Sequence, residues 1–363
     1  MAQSTAQQPV GVPPSSTSER HVRAVHGTVR RSSVRRRSVA FVGFAIVLLL
    51  AAGVSISVGS NPIPLNDVWR FVFDPDGTFE SDVIHDQRIP RTLLLIVVGM
   101  ALSVSGSLMQ SLTRNPLADP GILGINAGSS LAVVVAVAIF GFTSIWFFMW
   151  FAFAGAAAGA LAVYVLGSTG RSSPTPMRLA LAGVAISMAV SSLLQSVILS
   201  NQNAFNEFRF WAAGSIEGRG YPVLVAISGF ILIGLVIALS LAPALNALAL
   251  GDEAGRALGV RVSLVRAAVM VAVTLLAGGA TAAIGPIMFV GLAVPYLARA
   301  LCGSDQRWVL AMTLLAGPAV MMVTDVIARV VAYPSEVPVG VLAAILGGPV
   351  FVALVRRRRI EAL

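Results

Sequence analysis

Arginines that have carboxylates near them in the sequence are the residues best suited to recognition chemistry in this 363-residue chain. Arg88 and Arg91 stand just before a long apolar run. Arg329 follows Asp325 by four residues and precedes Glu336 by seven. The planar guanidinium fork of arginine pairs well with carboxylates. Two plainer interpretations stay open, which are interfacial snorkelling of Arg88 and Arg91 and a helical i,i+4 pair between Asp325 and Arg329.

A second informative stretch is LGDEAGRALG, at residues 250–259. Its acids lie near the start and glycines bound it, which are start and stop signals of a helix. The sequence predicts a helix of one to two turns within a segment at about 245–261. The residues in its middle are small, which suggests that a partner protein would recognise the shape of this segment more than its charge. The alternative is a capped connector between helices that binds no partner. The residues concerned are Gly251, Asp252, Glu253, Gly255, Arg256 and Gly259.

A third stretch, SLMQSLTRNPLADPGILGIN at 107–126, interrupts two apolar runs with polar residues and prolines. Pro116 and Pro120 fix backbone φ and remove hydrogen-bond donors, which predicts a stiff turn. Gly121 and Gly124 permit close approach of helices. An ordinary turn between two helices is the plainer interpretation.

Composition excludes several kinds of chemistry. All 25 basic residues are arginine, so the chain lacks the lysine that a P-loop or a Schiff base requires. His21, His26 and His85 have no second ligand at metal-binding spacing, and no metal site is predicted. The single cysteine, Cys302, cannot form a disulfide within the chain.

Hydropathy predicts an all-α polytopic membrane protein. The chain is 56% hydrophobic and 11% charged, against about 25% charged residues in soluble domains. A bilayer core of about 30 Å requires about 20 apolar residues per helix. By this rule ten spans are predicted, at residues 39–59, 92–111, 121–141, 145–167, 178–200, 222–242, 262–283, 286–302, 309–331 and 338–355.

The distribution of arginine predicts the orientation of these spans, because loops rich in arginine stay in the cytoplasm. With both termini cytoplasmic, 19 of the 25 arginines lie inside. The net charge of +9 is therefore a topology signal, and no nucleic-acid partner is predicted. Residues 1–38 are rich in serine, glutamine and arginine and are predicted to form a disordered cytoplasmic tail. A membrane domain follows at 39–356, and 357–363 form a basic C-terminal tail.

The stretch RIPRTLLLIVVGMALSVSGSLMQSLTRNPLADPGILGINAGSSLA (88–132) resembles the FecCD family of ABC importer permeases. Five more stretches resemble the same family in the same order: RLALAGVAIS (178–187), FRFWAAGSI (208–216), LALGDEAGRALGV (248–260), GPIMFVGLAVPYLAR (285–299) and EVPVGVLAAILGGPVF (336–351). The resemblance covers residues 40–356. It implies a type II ABC importer permease fold in the cytoplasmic membrane of a bacterium. The implied cargo is an iron-siderophore, haem or vitamin B12, with ferric siderophore favoured.

The resemblance also implies roles for individual residues. Arg88, Arg91 and Arg329 match arginines that hold acidic residues of a substrate-binding protein. Asn115, Pro116 and Leu117 match the cytoplasmic gate, and residues 250–259 match the element that docks into an ATPase subunit. Side chains on spans that would face a central pathway between two subunits are lining candidates, although polar residues in membrane helices also bond neighbouring helices. These candidates are Gln110, Asn126, Ser191 and Gln195.

The partners implied are a second permease subunit, two ATPase subunits, an extracytoplasmic substrate-binding protein, ferric siderophore and membrane lipid. A paralogue is favoured over an identical copy as the second permease. The chain itself is expected to bind no cofactor and to be no enzyme, since ATP is used by the partner ATPase.

Three classes of function stay open at this stage. The first is the ABC importer permease, with vitamin B12 or haem as alternative cargo. Pro176 and Met177 depart from the pattern of B12-type members, and Tyr296 departs from the usual PHLAR motif of the family, and both departures weaken the B12 alternative. The second is a secondary transporter driven by an ion gradient, for which Asp325 is the one acid expected within a span. The third is a structural or signalling membrane subunit.

Overall fold

The computed structural model describes residues 16–59, 62–141, 144–168 and 175–356, with the backbone alone for residues 16–34, 354 and 355. All regular structure within these ranges is helical. Short π-helical turns at 83–88 and 274–278 and a 3-10 turn at 120–123 join some of the α-helices. The α-helices are α1 Ser16–Ser57, α2 Leu65–Phe73, α3 Phe79–Asp82, α4 Ile89–Thr113, α5 Ile125–Phe140, α6 Ile145–Ser168, α7 Pro176–Ser200, α8 Gln202–Ala212, α9 Tyr221–Ser240, α10 Ala242–Ala249, α11 Asp252–Ala257, α12 Val262–Val273, α13 Gly279–Ile284, α14 Val290–Cys302, α15 Gln306–Val330 and α16 Val339–Arg356.

The ten predicted spans correspond to ten apolar helical segments, which confirms a multi-pass membrane protein. Within the described ranges, seven segments are long and apolar enough to cross a bilayer by themselves, and α5, α14 and α16 are shorter. The predicted span 286–302 begins later than expected, at Val290. The chain is not helical over residues 285–289, where Phe289 has a left-handed backbone with φ of 70°.

The first helix differs from the prediction of a disordered tail over residues 1–38. α1 begins at Ser16 and continues without a break into the first apolar span. Extending an existing helix adds one hydrogen bond for each residue fixed, which is far easier than starting a new helix. A polar, arginine-rich segment can therefore continue as helix once the apolar span has formed. Residues 1–15 and the predicted tail at 357–363 lie outside the described residues.

Close contacts between glycines hold α5 against α6. Gly128 on α5 meets the backbone of Gly155 on α6 so closely that neither position has room for a Cβ atom. One turn further along, a Cβ atom at Gly159 would lie 2.5 Å from the carbonyl oxygen of Gly124. Small residues four apart on both helices permit this approach, which is the usual way helices associate where water supplies no driving force.

α4 is the central helix and α7 is a peripheral one. In the apolar part of α4, 78% of the residues are buried, against 11% for α7. α4 packs against α14 with Gly106 facing the backbone of Gly291, and against α15 with Gly99 facing Gly317. The packing is therefore asymmetric, and α7 leaves most of its surface uncovered.

Candidate functional site

One ion cluster lies at the end of the bundle that the arginine distribution places outside. Arg91 on α4 contacts both carboxylates: its Nη2 lies 2.8 Å from Oδ1 of Asp325, and its Nη1 lies 2.7 Å from Oε2 of Glu336. The Asp325 side chain is fully buried, whereas those of Arg91 and Glu336 are 13% and 12% exposed. With Arg88 and Arg329, these residues form what we call the outer cluster.

The two other arginines of the outer cluster cap the C-terminal end of α1. Arg329 donates to two carbonyl oxygens there at 2.7 and 2.8 Å, and Arg88 donates to two more at 2.9 and 3.0 Å. The last carbonyls of a helix have no partner within the helix, and cations near them are favoured by the helix dipole. The four carbonyls belong to Ser55, Ile56, Ser57 and Val58.

The structure brings together the three arginines that were predicted to hold a binding protein. It also buries Arg88 and Arg329. Arg329 forms the i,i+4 pair with Asp325 that the plainer interpretation predicted. Of the three arginines, Arg91 alone has an exposed part, and a carboxylate of another protein could bond to it only by displacing Glu336. Docking of a binding protein therefore stays a prediction. The outer cluster contains three arginines and two carboxylates, so it has one positive charge in excess.

Another cation lies in the connection between α8 and α9, on the same side as the outer cluster. The Nε and Nη1 atoms of Arg219 are buried and have no partner among the described residues. Burial lowers the pKa of the Arg219 guanidinium from its usual value to about 10. The group is still protonated at neutral pH, so it adds positive charge to the outer end.

A second ion cluster, the inner triad, lies at the opposite end of the bundle. Asp252 at the start of α11 accepts from two arginines: its Oδ1 lies 2.6 Å from Nη2 of Arg114, and its Oδ2 lies 2.7 Å from Nη2 of Arg266. Arg114 also donates to the carbonyl oxygen of Leu248 at 2.8 Å. The inner triad therefore joins the end of α4, the start of α11 and the buried face of α12.

The predicted elbow between α4 and α5 is a compact, hydrogen-bonded turn. The Oδ1 of Asn115 accepts from the backbone N–H of Leu117 at 2.9 Å, and Oδ1 of Asp119 accepts from Gly121 at 2.8 Å. Arg114, which ends α4, has a left-handed backbone with φ of 50°. Asn115 is exposed and Pro116 and Leu117 are half-buried, so all three predicted gate residues have some free surface.

The elbow folds back between the helices instead of staying at their ends. A Cβ atom at Gly291 would lie 3.1 Å from the carbonyl oxygen of Leu102 and 3.2 Å from Cδ of Pro120. Leu102 precedes the end of α4 at Thr113 by 11 residues, about 16 Å along the axis. Irregular backbone at membrane depth is tolerated where protein buries it or where it faces water. The half-exposed parts of the elbow are therefore expected to be covered by another protein or to line a water-filled space.

The predicted short helix of the 245–261 segment is present as α11, which follows α10 after a tight turn. Gly251 and Gly259, at the two ends, have φ of 114° and 84°, a region that favours glycine. Glu253, Arg256 and Gly259 are exposed, and Leu258 is 63% exposed. The surface available to a partner thus consists of the exposed side of α11 and the residues just after it.

Gly255 does not belong to that surface, which corrects the prediction that it faces a docking partner. It is buried, and a Cβ atom there would lie 2.8 Å from Cδ2 of Leu248 on α10. The small residue is therefore required by packing within the chain. Asp252 does not only mark the start of α11, because it also forms ion pairs with Arg114 at the end of α4 and with Arg266 on α12.

The four lining candidates have different environments. Ser191 and Gln195 are exposed on α7. Asn126 is half-buried at the start of α5, where its Oδ1 accepts from Oγ1 of Thr281 at 3.2 Å. The structure thus leaves Ser191 and Gln195 as the candidates with the most free surface.

Gln110 is a correction to the predicted lining set, because it is fully buried between α4 and α14. Its Nε2 donates to the carbonyl oxygen of Leu292 at 3.1 Å, and its Oε1 accepts from Arg299. It therefore joins two helices, as polar residues in membrane helices often do. Among the described residues, no group of three or more histidine, cysteine or acidic side chains could hold a metal ion.

The sequence profile of the FecCD transport family matches residues 46–357. The chain belongs to the FecCD transport family. It is 41% identical over 322 residues to the ferric enterobactin transport system permease protein of Escherichia coli (strain K12), covering 89% of this chain and 96% of that protein. It is 39% identical over 334 residues to an Fe(3+)-citrate import system permease protein of Bacillus subtilis (strain 168), covering 92% and 98%.

A FecCD-type fold is also supported by a solved structure. A metal-chelate type ABC transporter in an inward-facing conformation superposes with a TM-score of 0.77 and 27% sequence identity, covering 88% of this chain and 99% of that chain. The overall fold of this chain is therefore similar to that of a transport permease.

Several residues of both clusters were not identified as functional from the sequence. Arg114 and Arg266 were only two of the 19 arginines predicted to lie inside, and Glu336 was noted only for its distance from Arg329. The sequence did contain one signal, since an arginine within an apolar helix is costly and requires a partner. Arg266, four residues into α12, met that criterion.

Proposed function

We propose that this chain is the permease subunit of an ABC importer that moves ferric siderophore across the cytoplasmic membrane. The observation that carries the proposal is the uncovered surface around α11, where Leu258 is 63% exposed beside the exposed Arg256. Leu250, on the other side of α11, is 72% exposed, and large apolar side chains exposed on both sides of a short charged helix favour a contact with another protein. The partner that suits a transport permease at its cytoplasmic end is an ATPase subunit.

A second permease subunit would complete the pathway beside α7. Ser191 and Gln195 are exposed on this helix, and little of it is covered by its own chain. Polar side chains that face lipid are unfavourable, so they favour a face turned towards water or another subunit. The half-exposed elbow borders α7, since Ile122 contacts Gly183. We place the pathway here, closed at its cytoplasmic end by Asn115, Pro116 and Leu117, with a paralogue favoured as the second subunit.

At the outer end, the surface formed by Arg91 and Glu336 is the proposed docking point for a substrate-binding protein. The excess positive charge of the outer cluster and Arg219 suits an acidic partner. An approaching carboxylate would compete with Glu336 for Nη1 of Arg91. Docking is thus proposed to exchange one ion pair for another, which avoids leaving a buried charge unpaired.

The proposed cargo follows from the names of the relatives, which refer to ferric enterobactin and to Fe(3+)-citrate. In both, the ferric ion is already surrounded by oxygen ligands of its chelator. A permease for such cargo needs space and polar contacts for the chelator, and it supplies no ligands to the metal. Haem is the alternative cargo, because a relative at 35% identity is a hemin transport system permease protein of Yersinia pestis, below the 41% and 39% of the two relatives named for ferric chelates.

Uptake by proteoliposomes tests the proposal. Vesicles would contain this chain, its second permease and the ATPase, with binding protein and a ferric catecholate siderophore outside. We expect uptake that requires ATP inside and persists when ion gradients are dissipated. Uptake that continues without ATP and stops when the gradient is removed would instead establish a secondary transporter.

A further inference from the structure

The ion pair between Arg114 and Asp252 connects the proposed gate directly to the proposed ATPase surface. Arg114 is the residue that ends α4 and begins the elbow, and Asp252 is the first residue of α11. Their Nη2 and Oδ1 atoms are 2.6 Å apart, although 138 residues separate them in the chain. The same Nη2 also donates to the carbonyl oxygen of Leu248, the last but one residue of α10.

The backbone at residue 114 indicates that this arginine is kept for its side chain. With φ of 50° and ψ of 35° it occupies the left-handed region, which side chains other than glycine, asparagine and aspartate adopt rarely. Helices commonly end this way, but usually with glycine at the left-handed position. A glycine at residue 114 would suit the turn better and would lose both contacts to the α10–α11 segment.

Asp252 is held from the other side as well, because its Oδ2 accepts from Arg266 on α12. Arg266 is buried, whereas Asp252 and Arg114 are about one-third exposed. A carboxylate shared by two guanidinium groups has little freedom to turn, so a displacement of α11 must move Arg114 or break the pair. The residue that follows Arg114 is Asn115, the first of the proposed gate.

We propose that Arg114 and Asp252 are positioning residues that transmit the seating of the ATPase on α11 to the elbow, and so couple ATP hydrolysis to opening of the pathway. The inference rests on the proposed function, since it assumes that an ATPase subunit binds α11. Arg266 acts as the fixed support that holds Asp252 in its orientation towards Arg114. Arg256 and Leu258, the exposed residues on which the proposed docking surface rests, are not members of this ion pair.

The test compares Arg114→Gly, Arg114→Lys and Asp252→Asn in proteoliposomes that contain the complete transporter. The measured quantity is the ratio of siderophore taken up to ATP hydrolysed. We expect Arg114→Gly and Asp252→Asn to lower this ratio by at least about fivefold, the lower range of coupling between sites in proteins. Arg114→Lys keeps a cation and should retain most of the ratio. Capture of the ATPase by Arg114→Gly should equal that of the wild type.

A second measurement follows the elbow itself. Leu117→Cys, in a Cys302→Ala background, is labelled with a membrane-impermeant thiol reagent from the cytoplasmic side, with and without ATP. We expect ATP to change the labelling rate in the wild-type background and to leave it unchanged with Arg114→Gly.

Three results would overturn the inference. An unchanged uptake-to-hydrolysis ratio in both Arg114→Gly and Asp252→Asn would show that the pair transmits nothing. A parallel loss of ATPase capture would make Arg114 part of the docking surface. Absence of ATP-dependent uptake by the wild type would overturn the proposed function, and the inference with it.

Discussion

Arg91 on α4 and Glu336 in the connection before α16 form an ion pair of 2.7 Å across 245 residues of chain. Both side chains reach the surface at about one-eighth exposure, while Asp325 behind them is fully buried. The pair is therefore the one part of the outer cluster that another protein could exchange without uncovering the rest.

Replacing Glu336 by glutamine should strengthen binding of the substrate-binding protein. The neutral side chain competes less well for Arg91, which frees one side of the guanidinium for a carboxylate of the partner. A partly exposed ion pair contributes up to about 1 kcal/mol, so we expect affinity to rise by about two- to fivefold. Surface-immobilised transporter and purified binding protein would give the dissociation constant. Asp76→Asn, in the exposed pair with Arg70, is the control, and equal affinities for both variants would remove Arg91 from the docking surface.

Replacing Asp325 by asparagine should destabilise the chain itself. Asp325 is fully buried and accepts hydrogen bonds from Arg91 and Arg329. Removing one member of a buried ion cluster leaves uncompensated charge, at a cost of about 3–5 kcal/mol. A much lower melting temperature in detergent, or loss of the protein from the membrane, is the expected result. Asp76→Asn serves again as the control, and a melting temperature equal to that of the wild type would contradict the argument.

Replacing Gly106 by alanine should separate α4 from α14. An added Cβ atom would overlap the carbonyl of Gly291, and overpacking of this kind costs about 1–3 kcal/mol. Gly229 in α9 is a matched control, because a Cβ atom there meets no described atom within 4 Å. Gly229→Ala should stabilise by up to about 1 kcal/mol, as alanine favours helix. Thermal unfolding of both variants would measure the difference, and equal melting temperatures would refute the close approach.

Replacing Leu258 by aspartate should reduce capture of the ATPase subunit at least about tenfold, in the range of an interface residue that contributes above 1 kcal/mol. Leu65 on α2, at the opposite end of the bundle, is 62% exposed against 63% for Leu258, which makes Leu65→Asp a matched control. Co-purification of tagged ATPase with each variant measures the effect. Undiminished capture by Leu258→Asp would remove the basis for placing the ATPase at α11.

The sequence by itself determined that the chain has ten apolar segments and that these segments are helical. Runs of about 20 apolar residues leave a chain few options in a bilayer, because each backbone group must be bonded within its own helix. The same local signals placed the elbow at Pro116 and the short helix near Asp252 correctly. The motifs of the FecCD family added the class of transporter, since they cover most of the chain.

Only the tertiary structure decided which charged residues meet. Arg91 pairs with Glu336 across 245 residues of chain, and Arg114 pairs with Asp252 across 138 residues. The periodicity of a helix contains no information about such long-range pairings. The burial of individual side chains could not be predicted from the sequence either. From the sequence, Gln110 was predicted to line the pathway and Gly255 to belong to a docking surface, yet each is buried against a neighbouring helix. The physical reason is that a helix has several faces, and the packing of its neighbours decides which of them remain free.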